Sequence, residues 1–268
     1  MAKAQEGFLY ESNAYNALQK YNISYGGTAG ASSDKPDLTV INRKGKTSGV
    51  ELKINPTAAG SLVLKYYNGK WDYGEYAGSP EKEFLYSIGE KYNLMREMNT
   101  SGSHGAAWRQ NIPALQNDSS GNKILAPGIK DKATAYKRDI ANFGGDAEIH
   151  INVTAKAVCD YYNAKDCYYI NVGTHGFFLL NKKDPLGLNK ELSTLGYPKI
   201  NDFAYSASCK IRVRCQLKSS SRSDYQFVMT LQFSRVTSQQ YNIAPLRRGS
   251  KSLIDTASLS QNKILAAF

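Results

Sequence analysis

The segment KPDLTVINRKGKTSGVELKIN, residues 35–55, sets two short apolar runs around a basic loop that contains a glycine. Side chains alternate between the faces of a strand. Leu38 and Val40 therefore share a face with Val50, Leu52 and Ile54, while Asp37, Glu51 and Lys53 point the other way. An antiparallel hairpin that turns around Lys44-Gly45-Lys46 pairs residues whose numbers sum to about 90, which puts Asp37 opposite Lys53 and diagonal to Glu51. Such a hairpin has a greasy back and gathers two carboxylates and an amine at one end. Two close carboxylates repel, and at neutral pH something must neutralise them. Oxygen ligands from Asp37 and Glu51, the Leu52 carbonyl and water suit a divalent cation, Mg²⁺ or Mn²⁺. Lys53 would then hold the attacking water and offset charge on a phosphate in transit.

The chain has 268 residues, 41% hydrophobic and 21% charged, a globular composition with enough length for a sizeable core. No apolar run is long enough to span a bilayer. The polar start MAKAQEGFLYESNAY does not read as a secretory signal, so the expectation is a soluble cytoplasmic protein without a membrane partner. The net charge is +11, with 34 basic against 23 acidic residues. From residue 205 onward ten Lys/Arg face two acids. That balance favours a polyanion, nucleic acid first. The cysteines, Cys159, Cys167, Cys209 and Cys215, form no CxxC and read as reduced core thiols. His104, His150 and His175 lack metal-ligand spacing.

Residues 6–21 predict a helix whose inward arc holds Phe8, Ala14, Tyr15, Leu18 and Tyr21. Glu11 falls inside that arc and Glu6 well outside it. Asn68-Gly69 between strand-forming residues predicts a hairpin, with Lys65, Lys70 and Trp71 as a basic-aromatic tip able to enter a DNA groove. Residues 81–98 read as one amphipathic helix and 99–130 as a long loop or insertion. Helices are expected at 132–142 and 154–163, and two strands at 167–181. In SCKIRVRCQLKS, apolar residues alternate with Lys210, Arg212, Arg214, Gln216 and Lys218. A row of cations on one sheet face suits a phosphate backbone. DYQFVMTLQFSRV supplies a partner strand, with the flexible basic loop SSSRS between the two.

Pro36-Asp37 followed by Glu51-Leu52-Lys53 resembles the signature of the PD-(D/E)xK nuclease superfamily. The resemblance covers residues 6–55. It implies an α/β fold, a mixed sheet flanked by helices in a restriction-endonuclease-like core, and Mg²⁺-dependent cleavage of DNA to leave a 5′-phosphate and a 3′-hydroxyl. Members often carry a glutamate on the helix before the acidic hairpin, a role that Glu11 matches, with Glu6 in reserve. On this reading residues 1–200 form the catalytic core, with an insertion near 99–130, and 201–268 form a basic, β-rich DNA-binding extension. The activity expected is that of a DNA endonuclease, of restriction, homing or phage type. A homodimer would supply one site per strand. The competing expectation is a non-catalytic DNA- or RNA-binding protein that uses the basic C-terminal strands.

Overall fold

A computed structural model describes residues 3–28, 35–54, 58–218, 224–244 and 263–268. The chain opens with helix α1 (Lys3–Gln19) and three strands, β1 (Ser24–Thr28), β2 (Leu38–Ile41) and β3 (Thr47–Lys53). It continues through β4 (Ala58–Tyr67), β5 (Lys70–Tyr73), α2 (Pro80–Lys91), α3 (Leu94–Asn99), α4 (Ala106–Gln110), β6 (Leu115–Asn117), β7 (Lys123–Leu125), α5 (Lys132–Phe143) and β8 (Ile149–Val153). Then come α6 (Ala155–Asn163), β9 (Cys167–Val172), β10 (Gly176–Leu179), α7 (Leu188–Thr194), α8 (Phe203–Ser206), β11 (Ala207–Leu217) and β12 (Tyr225–Val236). The fold is α/β, with parallel and antiparallel strand pairs.

The chain divides into two compact units. One comprises residues 1–57, 154–209 and 233–268, the other 58–153 and 210–232. The expected division at residue 200 is therefore corrected. The C-terminal strands are not an appended extension, because β12 pairs with β4 along Phe227↔Leu64 and Thr230↔Ser61, and β11 lies between β12 and β8. A strand pair whose hydrogen bonds close on residues far earlier in the sequence cannot form a separate module.

In the first unit the sheet order is β1-β2-β3-β9-β10, with β3 and β9 parallel and the other pairs antiparallel. Leu38, Val40, Val50 and Leu52 are buried in one cluster with Tyr10, Ala14 and Leu18 of α1 and with Tyr169, Phe177 and Leu192. The inward face of α1 thus runs through Tyr10, whereas Phe8, expected inside, is 45% exposed. Tyr10 donates to the Ala244 carbonyl at 2.7 Å and accepts from Asn171 Nδ2 at 3.1 Å.

The second unit has a sheet in the order β5-β4-β12-β11-β8, and its core includes the rings of Trp71, Trp108, Phe143 and Phe227. The Asn68-Gly69 hairpin forms as expected, both residues at positive φ, with Tyr67 facing Lys70. Residues 81–98 are two helices rather than one. Asn93 takes the left-handed conformation at φ 53°, which no helix propagates through. Residues 99–130 are not a structureless loop either: they hold α4 and the β6–β7 hairpin. Buried Trp108, whose Nε1 donates to the Ala147 carbonyl at 2.6 Å, anchors this region. All four cysteines are free and buried. Among the described residues, no helix is long and apolar enough to cross a membrane.

Candidate functional site: a buried carboxylate cluster around Lys53

The hairpin pairs Leu38 with Val50, Thr39 with Gly49, Val40 with Ser48 and Ile41 with Thr47. These partners sum to 88, two fewer than the expected 90. The shift comes from the turn. Asn42 Oδ1 accepts from the amides of Lys44 and Lys46, both at 3.0 Å, and the Asn42 amide bonds the Lys46 carbonyl. Gly45 supplies the positive φ, 75°, that closes this three-residue loop. A shift of two keeps every side chain on its face. It carries Asp37 alongside Glu51 instead of Lys53.

Three features place the acids. Just before β2 begins, the Leu52 amide donates to Asp37 Oδ2 at 2.8 Å, so the aspartate takes over the next rung of the ladder. Gly49 lies on the same face as Glu51 and Lys53, and a Cβ there would meet Pro36 Cβ at 2.6 Å and the Asp166 carbonyl oxygen at 2.9 Å. Its missing side chain lets Pro36 lie flat on β3 and hands Asp37 to the site. Glu11 comes from α1, one residue after the buried Tyr10.

Glu51 is 3% exposed. Its Oε1 accepts from Lys53 Nζ at 2.5 Å, while Oε2 is buried and has no hydrogen-bond partner. Glu11 Oε2 is likewise buried without one. Two other carboxylates, buried Asp139 and half-buried Asp184, differ. Asp139 accepts from the Ala114 and Leu115 amides and from the Tyr225 hydroxyl, and Asp184 from the Tyr169 hydroxyl and the Leu188 and Asn189 amides. Those are saturated, structural acids. Glu11 and Glu51 keep unused oxygen ligands inside the protein, where an unpartnered carboxylate oxygen is costly.

Electrostatics follow from this crowding. Burial, then Asp37 and Glu51, push the Glu11 carboxyl up from 4.5 to about 8, against an opposing pull from Lys53. Burial, then Glu51, push Asp37 from 3.8 to about 7, against the pull of Lys53 and the Leu52 amide. Burial alone would favour neutral Lys53, but Glu51, through its charge and its hydrogen bond, and Asp37 outweigh it and hold the ammonium charged. Tyr162 of α6 is 1% exposed, its hydroxyl unpartnered, and its ring lies 5.9 Å from Lys53 Nζ. Burial keeps that phenol protonated.

The cluster so formed gathers Glu11, Asp37, Glu51 and Lys53. Glu6 is exposed. Among the described residues, no group of three or more His, Cys, Asp or Glu side chains is drawn tightly enough to be a ready-made metal cage. The donor set nevertheless fits a hard divalent cation, because every ligand is an oxygen and two of the oxygens are buried and unused.

The residues expected to contact nucleic acid lie in the second unit and fare differently. Arg212 does not present a free cation: its Nε and Nη2 bind Glu148 at 2.5 and 2.9 Å. Lys218 pairs with Asp224 at 2.8 Å, and Lys65 with Asp72 at 3.5 Å. Arg214 has its Nε buried without a partner. Lys70 is exposed and Lys210 half-buried. The row of cations is thus partly neutralised, by Glu148 from the segment before β8 and by Asp224 just before β12. The SSSRS loop, Arg247, Arg248 and Lys251 lie outside the described residues. A cleft of about 610 Å³ in the same unit is lined by Asp72, Tyr73, Tyr76, Tyr86 and Glu90, among others, and none of its lining residues belongs to the carboxylate cluster.

Comparison of the chain with protein-family models, with curated proteins and with solved structures finds no match.

Proposed function

We propose that the chain is a divalent-cation-dependent phosphodiester hydrolase acting on DNA, with Glu11, Asp37, Glu51 and Lys53 as its site. The observation that carries this reading is the pair of buried carboxylate oxygens, Glu11 Oε2 and Glu51 Oε2, left without hydrogen-bond partners beside a charged lysine. The mixed sheet flanked by helices is what the PD-(D/E)xK resemblance implies, and it supports the same reading. Asp37, Glu51 and the Leu52 carbonyl would hold Mg²⁺ or Mn²⁺, with Glu11 completing the acidic set. Such a cation acidifies water and screens phosphate charge.

The chain's own residues supply the rest. Lys53, fixed against Glu51, orients the attacking water and offsets the charge that grows on the phosphate oxygens. Water adds to phosphorus and the bond to the 3′ oxygen breaks. The water's proton passes to solvent, because carboxylates that hold the cation do not keep a proton. The departing oxygen takes a proton from solvent, leaving a 5′-phosphate and a 3′-hydroxyl. DNA is favoured by the net charge of +11.

Plasmid incubated with the protein is expected to be nicked in Mg²⁺, and left intact in EDTA or by the Asp37→Ala variant. Nicking that survives both changes would defeat the reading. A second reading, nucleic-acid binding without catalysis, draws on the basic side chains of the second unit, among them Lys70, Lys210 and Arg214. A gel shift without cleavage, equal in wild type and Asp37→Ala, would favour it.

A further inference from the structure

Glu51 is bracketed by two ammonium groups, and the hydrolytic reading uses only one of them. Lys53 bonds Oε1, while Lys165 Nζ stands 3.9 Å from Oε2, the oxygen without a hydrogen bond. That separation lies inside ion-pair range and beyond hydrogen-bond range. Lys165 therefore screens the oxygen without occupying it. Its side chain is only 10% exposed, and its ammonium rests over the rings of Tyr161 and Tyr162, 5.2 and 5.5 Å from their centroids.

The position is built into the crossover from α6 to β9. The Lys165 amide bonds the Tyr162 carbonyl at 3.0 Å, and Asn163 Nδ2 bonds the Cys167 carbonyl at 3.0 Å. Asp166 takes a left-handed φ of 54° and receives the Gly49 amide at 3.2 Å. The turn that carries Lys165 is thereby tied to the strand that carries Glu51.

We propose that Lys165 is a positioning and phosphate-contacting residue of this site. It neutralises Glu51 Oε2 while no divalent cation is bound, yields that oxygen when one arrives, and then offers its ammonium to the diester phosphate. This rests on the reading of Glu51 as a cation ligand. A divalent cation and an ammonium repel if both stay at Oε2. The tyrosine rings give the displaced ammonium a place to rest without a counter-charge. The incoming phosphate supplies the counter-charge that Glu51 withdraws.

The test uses the full chain and Mn²⁺ alone, followed by calorimetry. Lys165→Met keeps the aliphatic stem over the rings and removes the charge. It is expected to bind Mn²⁺ about tenfold more tightly than wild type, whereas Lys165→Arg stays close to wild type. On plasmid, Lys165→Met should need less Mn²⁺ for half-maximal nicking yet show a lower maximal rate and a higher KM for DNA. Lys165→Gln serves as a second neutral variant should the methionine variant fail to fold. Mn²⁺ binding in the neutral variants that is equal to or weaker than in wild type overturns the proposal while leaving the cation site standing. Wild type that takes up no Mn²⁺, or takes it up equally after Asp37→Ala, defeats the cation site and this role with it.

Discussion

Asp37→Asn is expected to reduce Mg²⁺-dependent cleavage by at least about a hundredfold and, in the same cation-free protein, to raise stability at alkaline pH. The two effects have one cause. Asparagine keeps the oxygen that accepts from the Leu52 amide but removes a charge that Glu51 and burial oppose. Asp37 and Glu11 are raised above their ordinary values, to about 7 and about 8, so both bind protons more tightly in the folded chain than in the unfolded one. The stability they lend is complete below their unfolded values near 4 and is lost as pH rises through 7 and then 8. Thermal melts in EDTA should therefore show wild type weakening as pH rises from about 4 to about 8, with the Asp37 share gone by about pH 7, and Asp37→Asn weakening less. At pH 8.5 the variant should be more stable by about 1–2 kcal/mol, a shift of a few degrees. A variant that melts lower than wild type at that pH would show Asp37 to be a structural acid. The same residue would then stabilise the fold, and the cation site would lose one of its three carboxylates.

Lys53→Met carries the largest expected cost to the fold. The Lys53–Glu51 pair is nearly out of water, with the glutamate side chain 4% and the lysine side chain 20% exposed. Removing the lysine leaves a buried carboxylate with Lys165 as its remaining close cation. Breaking a buried pair on one side destabilises by about 3 kcal/mol or more, chiefly through the charge left behind. The double variant Lys53→Met/Glu51→Gln removes both charges and should recover most of that loss, because neutral groups of matching shape can replace a buried pair at small cost. Cleavage should not return with it. Chemical denaturation separates the outcomes: additive losses in the double variant would mean that the two residues are not coupled, and recovered cleavage would mean that neither serves the reaction.

The site was legible in the sequence because strand alternation alone sorts Asp37, Glu51 and Lys53 from Leu38, Val40, Val50 and Leu52, and a two-residue error in register leaves that sorting intact. The register itself was not legible, since it depends on Asn42 folding its own side chain back onto the Lys44 and Lys46 amides. Glu11 was placed by helical periodicity, although the face it borders is led by Tyr10, whose hydroxyl is fixed by Ala244 and Asn171, distant in the chain. Lys165 and Tyr162 were missed for the same reason. Their approach to Glu51 is made by the parallel pairing of β3 with β9, and no local pattern announces a parallel partner more than a hundred residues on. The C-terminal strands announced themselves by alternation, but their acidic partners, Glu148 for Arg212 above all, come from another part of the chain. Charge counted along the sequence overstated the cations left for a ligand.

The central claim, that Glu11, Asp37 and Glu51 form a divalent-cation site, is tested most directly by calorimetric titration of Mn²⁺ at pH 7.5 in two buffers of different ionisation enthalpy. Because two of the three carboxylates hold protons near neutrality, binding is expected to release about one proton per cation, and both binding and release should be lost in Glu51→Gln. No binding at millimolar Mn²⁺, or binding without proton release and unchanged in Glu51→Gln, would contradict it.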